Sequence, residues 1–589
     1  MLPRSSSYAH FSPSLLCNSY HFRFPKKSAG GADRQDAIDD LLTEAREKPS
    51  WEHANQVASV IHERRHFHDW VGTPLGMNLF YHLQRIVNQY LVHLGPHVSD
   101  VSSLTLPICG QKDFISLSAA NFARDYREHT AQYNWLMATV DLLSDYAAEE
   151  SLSAFTLPNS RVNLPVVNLP ELRFSVNDAA KPFRKSYMPF GGLQIIEALA
   201  FILEAMHLRH YCGPEYETKL NEVVLASPDG LNYAIVNGLV QVILGIFPLE
   251  ATLHACLFAL CTPGPQFDIE QHHPGWRFIH VLLELSEGDE YNIAAFSKAV
   301  TRLCRKKGWV HPREVLQESK KYVQAQLRHN AKTPGTADLN VVKAYNELYY
   351  GYSDILVDYH LGTNFPDCHP FAYLEDLQRL PRQPMSRFLQ PDGTYKIVSP
   401  DLRKGRTLIN WSVLEHLVHE LAVSGDLNCP FKVTTKLKNS CPMMTPSCGR
   451  QLEYVNEGGH PCFYGESLYG LGIIDASGAS RMHLGRLSDA DPLLATATAA
   501  DTAAFGEQSG KCDLCGKALR LTAVTVISVQ TLNSITGKGF VPLRMRVPDE
   551  ITQAGMTRGA FWAAVLNAYQ TSEWGVCNLC RREVEEFSG

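Results

Sequence analysis

Acidic residues are missing from the first 32 positions of this 589-residue chain, where Arg4, Arg23, Lys26 and Lys27 stand among serines. That composition suits a disordered leader or a transit peptide, and the lack of a long apolar segment argues against a secretory signal. Cysteine is scarce: 15 residues in 589 are too few for a disulfide scaffold. Cys256 and Cys261 lie in apolar helical stretches and read as small buried thiols of a reducing compartment. A cytoplasmic location is expected, or an organellar one if the leader is a transit peptide. No clean membrane span is present either. Leu231 to Leu249 carries no charge, but Asn232, Asn237, Gln241 and Pro248 interrupt it, so it reads as a buried core helix. Basic excess is absent as well. A net charge of −7 and a pI near 6.4 argue against a global nucleic-acid-binding surface.

What remains is the composition of a soluble globular protein, 45% hydrophobic and 20% charged. Its length suggests roughly two to four domains. The fold class expected is mainly α. A leader occupies residues 1–35 and a mainly helical region residues 36–380. Beyond Pro381, Gly, Pro and β-type residues become frequent, and residues 381–494 read as a mixed α/β segment. Residues 495–510, rich in Ala, Thr and Gly, form a linker to a small module at 511–589.

Within the helical region, Ile61-His62-Glu63-Arg64-Arg65-His66-Phe67-His68-Asp69 contains His-Glu-x-x-His. Residues four apart share a helix face, so His62 and His66 can both reach one metal ion. Glu63, beside the first imidazole, can take a proton from a metal-bound water. Ala54 to Ile61 contains no Gly or Pro and runs into the motif as a helix, and Gly72-Thr73-Pro74 supplies the stop. The competing interpretation is a solvated helix with a charged, histidine-rich face. A bound zinc needs a third ligand. Pro189-Phe190-Gly191-Gly192 marks the start of another helix, whose only polar side chains before His207 are Gln194, Glu197 and Glu204. Carboxylates in so apolar a helix call for a metal or a buried partner. Glu197 is the natural third ligand, with Glu204, His207 and His210 as competitors. Asp69, three residues beyond His66, can hydrogen-bond the far nitrogen of a ligand imidazole, or pair with Arg64 or Arg65.

The motif resembles the zinc-metallopeptidase superfamily called zincins, and the Glu197-Ala198 pair resembles its glutamate-using branch. The resemblance covers roughly residues 50–210. It implies a catalytic zinc on His62, His66 and Glu197, with Glu63 as the base acting on a peptide or protein substrate.

Cys512-x-x-Cys515 and Cys577-x-x-Cys580 are two knuckles that can complete one closed, structural zinc site. Such modules recruit partner proteins or nucleic acid. Residues 511–589 hold nine Lys/Arg against seven Asp/Glu, so nucleic acid is not indicated. The rival to a hydrolase is therefore a recruitment protein with a vestigial histidine motif. Cys429, Cys441, Cys448, Cys462 and His460 form a looser possible cluster. His272 and His273, beside Pro274, are expected to be exposed.

Overall fold

A computed structural model describes residues 9–13, 16–20, 50–94, 104–110, 117–139, 171–178, 181–225, 230–264, 269–332, 337–367, 385–389, 395–398, 402–424 and 484–486, with a few isolated positions besides. The described part is mainly helical. In chain order the strands are β1 (Ala9–Ser12), β2 (Cys17–Tyr20), β3 (Leu104–Leu106), β4 (Glu171–Asp178), β5 (Lys181–Pro189), β6 (Met385–Leu389), β7 (Tyr395–Val398) and β8 (Leu484–Arg486). The helices are α1 (Trp51–Gly72), α2 (Pro74–His93), α3 (Leu117–Met137), α4 (Gly192–Tyr211), α5 (Pro214–Leu225) and α6 (Gly230–Leu244). They continue with α7 (Leu249–Leu260), α8 (Pro274–Leu285), α9 (Ile293–Lys307), α10 (Pro312–Lys332), α11 (Ala337–Gly362) and α12 (Leu402–His419).

Helix α1, which carries the histidine motif, is the centre of the packing. Ser50 starts it, its hydroxyl oxygen accepting from the His53 amide at 3.2 Å. Gly72 and Thr73 end it, and Thr73 at once caps α2 by accepting from the Gly76 amide at 3.1 Å, with Pro74 at the first helical position. The sharp reversal brings α2 close over the last turn of α1. A Cβ on Gly76 would fall inside the Asp69 and Trp70 carbonyl oxygens, which are backbone and cannot move aside. Gly76→Ala is therefore expected to cost about 2–3 kcal/mol. The loss should appear as a lower urea midpoint at unchanged slope, and a midpoint equal to wild type would count against this packing.

From Val60 to Gly72 every residue of α1 is buried, and from Gly192 to Leu208 every residue of α4 is buried. Neither helix has a wet face there, so the polar residues of the motif sit in the interior. Helices α4 and α11 flank α1, and α4 in turn rests on α6 and α7. Ala54 and Ala58 of α1 meet Phe201, Ala205 and Leu208 of α4. These small side chains let the two helix backbones come close, which a metal site shared between them requires.

The structure bears on three expectations. Residues 9–20, read as part of the leader 1–35, form the β1–β2 hairpin instead. Strand β2 pairs parallel with β6, Cys17 opposite Met385, in a four-stranded sheet ordered β1-β2-β6-β7. The hairpin is held by burial of Phe11, Leu16 and Tyr20, with the Phe11 ring edge-on to Phe67 of α1. Position 380 is likewise no break in the packing, because Trp411 of α12 stacks on Tyr345 of α11 at 4.2 Å within the main core. Finally, the uncharged run 231–249 is helix α6, with Ile235, Val236, Leu239, Val240, Ile243 and Leu244 buried in the core as expected, and the turn after it, where the chain bends by 113° into α7. Among the described residues no single helix is long and apolar enough to cross a membrane. The linker 495–510, the knuckle module 511–589, and Cys429, Cys441, Cys448, His460 and Cys462 lie outside the described residues.

Candidate metal centre

The close approach of α1 and α4 brings His62, His66 and Glu197 to one point. The Nε2 atom of His62 lies 3.3 Å from Glu197 Oε2, and that of His66 lies 3.5 Å from Glu197 Oε1. The two imidazole rings stand perpendicular, centroids 4.4 Å apart, as a four-residue helical spacing allows. One donor atom from each of the three side chains fits within a 4.8 Å cluster. Ligands at zinc bond lengths in a tetrahedron are separated by about 3.3 Å, so the observed spacings need little adjustment. His66 Nδ1 and Nε2 and Glu197 Oε2 are buried and make no hydrogen bond among the described residues, which is costly for polar atoms unless something else binds there.

The buried charged side chains of α1 and α4 are the carboxylates of Glu63, Asp69, Glu197 and Glu204 and the guanidiniums of Arg64 and Arg65. Burial by itself would raise the Glu197 carboxyl, but the positive charge of His66 and His62 in their protonated form, close against it, outweighs that and holds it well below the usual carboxylate range, so Glu197 is an anion.

The solvated, histidine-rich face is ruled out by this burial: His62 and His66 are each 3% exposed and Glu63 is fully enclosed. Of the two partners the sequence offers Asp69, the structure shows the guanidinium. The Asp69 carboxylate forms an ion pair with Arg65, four residues back on the same helix, and is directed to no ligand imidazole. Arg65 is itself fully buried and needs an anion, so the helical neighbour wins. The carboxylate that does reach an imidazole is Glu204, whose Oε1 lies 2.9 Å from His62 Nδ1. Its position seven residues after Glu197 was the sequence signal for a shared face. His207 is buried near Tyr211 and His210 is exposed; neither joins the cluster. The half-buried Tyr233 of α6, unremarked in the sequence, packs its ring 6.0 Å from that of His62.

Other histidines are structural. His272 and His273 are buried, where exposure was expected, and each is held by a main-chain carbonyl: Pro263 at 2.7 Å and Trp135 at 2.9 Å. Arg277 spends its guanidinium on the carbonyls of Phe258 and Gln271. His419 bonds the Tyr126 hydroxyl at 2.8 Å and His416 faces Glu420. Comparison of the chain with protein-family models, with curated proteins and with solved structures gives no match.

Proposed function

We propose that this chain is a zinc-dependent hydrolase, a metallopeptidase of the zincin type, with its metal on His62, His66 and Glu197. The observation that carries the reading is the convergence of those three donors, from two helices, in the buried core. A zinc ion in such a site supplies a Lewis acid and brings the pKa of a bound water to about 7. The chain's own residues do the rest. Glu63 follows His62 on α1, turned about 100° around the helix axis, and its carboxylate takes the proton of the attacking water. The same carboxyl then returns that proton to the leaving amine, so one residue serves as base and acid in turn. Glu197 and the two imidazoles would hold the ion. A second, structural zinc belongs to Cys512, Cys515, Cys577 and Cys580, whose paired knuckles supply four thiolates.

Metal analysis of the purified full-length protein is the test. We expect two zinc ions per chain, falling to one in His62→Ala/His66→Ala and to one in Cys512→Ser/Cys515→Ser. A zinc content in the histidine variant equal to that of wild type would overturn the catalytic site and leave a recruitment protein held together by its cysteines. Iron in place of zinc at the histidines would overturn the hydrolase, since two imidazoles and a carboxylate also suit non-haem iron.

A further inference from the structure

We infer that Glu204 is the positioning residue of this centre: it fixes the ring of His62 so that one particular nitrogen faces the metal. The inference rests on the metal site proposed above. Glu197 and Glu204 are seven residues apart, two turns of α4, and so line one face at different heights. The imidazole of His62 lies between them, with Nε2 toward Glu197 and Nδ1 at 2.9 Å from Glu204 Oε1. An ionised carboxylate only accepts hydrogen bonds. Facing Glu204, the Nδ1 atom carries a ring proton, and in the neutral imidazole that binds a metal Nε2 is left with the lone pair the metal needs. The other tautomer would turn an N–H toward the ligand cluster and a lone pair toward an anion. Glu204 is 6% exposed, so water competes little for that contact. His66 has no such restraint, its Nδ1 making no hydrogen bond among the described residues. His62 is accordingly the anchored ligand and His66 the adjustable one. Asp69, which the sequence put forward for this task, is occupied by Arg65.

The test is the zinc affinity of the full-length protein at the histidine site, measured by competition with a chromophoric chelator. Wild type is compared with Glu204→Ala and Glu204→Gln, and the melting temperature of each metal-free protein is followed in parallel. Loss of the carboxylate is expected to weaken zinc binding about 10–100-fold. Glutamine, whose carbonyl can still accept from Nδ1 but carries no charge, should recover part of that loss. With Co2+ in place of zinc, the visible absorption of the alanine variant should differ from that of wild type, a change that altered stability alone does not produce. Wild-type affinity and an unchanged Co2+ spectrum in Glu204→Ala would overturn the positioning role while leaving the metal site standing. If His62→Ala/His66→Ala binds as much metal as wild type, the site itself is absent and the failure lies with the underlying reading.

Discussion

Glu63→Gln is expected to lower the rate of peptide hydrolysis about 10²–10⁴-fold while the zinc content stays at the wild-type value. Glutamine has the shape of glutamate and keeps a hydrogen-bonding oxygen, so the buried position is still filled. What it lacks is the capacity to take a proton from water and pass it on. Because Glu63 lies outside the ligand cluster, its loss should leave metal affinity nearly unchanged, in contrast to His62→Ala, His66→Ala or Glu197→Ala. The measurement is an initial rate on whichever member of a mixed peptide library the wild type cleaves, with zinc counted in the same preparation. Activity within tenfold of wild type would show that another group handles the proton. Wild-type protein that holds zinc at the histidines and cleaves nothing would instead direct attention to other hydrolysable substrates.

The site was more legible in the sequence than its surroundings. The candidate ligands declare themselves locally, because helical periodicity alone puts His62 beside His66, and an apolar helix with few polar side chains makes Glu197 conspicuous. Stops are local too: Ser50, Gly72-Thr73-Pro74 and Gly191-Gly192 mark the ends of α1 and the start of α4 within a residue. The β1–β2 hairpin was hidden because its partner strand β6 begins only at Met385, and no local pattern reports a pairing that distant. A short stretch without acidic residues then looks like a leader. Asp69 had two partners within helical reach, an imidazole and a guanidinium. Which one wins depends on whether Arg65 is buried, and sequence periodicity does not say that when a helix is enclosed on every side. The loop histidines failed for a related reason: the turn after α7 folds inward, Asn78 of α2 reaching the Thr262 and Pro263 carbonyls at 3.3 and 3.1 Å and holding it in the core.

Those inward histidines lead to a steep dependence of stability on pH. Burial lowers His272 to about 4 and His273 and His360 to about 3, from an ordinary value of 6.5. All three are neutral in the folded chain at pH 5, whereas the unfolded chain has them protonated. A group whose folded pKa lies below its unfolded pKa makes the unfolded state bind more protons in that interval, so stability falls as pH falls. Above about pH 6.5 the three contribute no pH dependence; the loss begins there and continues toward pH 4. At pH 5 each lowers stability by about 2 kcal/mol, together about 6 kcal/mol. Set against a total of about 5–15 kcal/mol for a folded domain, that is enough to bring the helical core near its midpoint. His68 and His82, which burial also lowers well below 6.5, act in the same direction. Asp69 and Asp367, raised by burial, act in the opposite one and offset part of the fall. Urea midpoints followed by far-ultraviolet circular dichroism from pH 7.5 to 5 should drop steadily below pH 6.5. The fall should persist in chelator-treated protein, because none of these three imidazoles belongs to the metal cluster. A midpoint that is flat across that interval would mean these rings take up protons in the folded state, and hence that the core around α2, α7 and α11 is far wetter than the burial of its side chains implies.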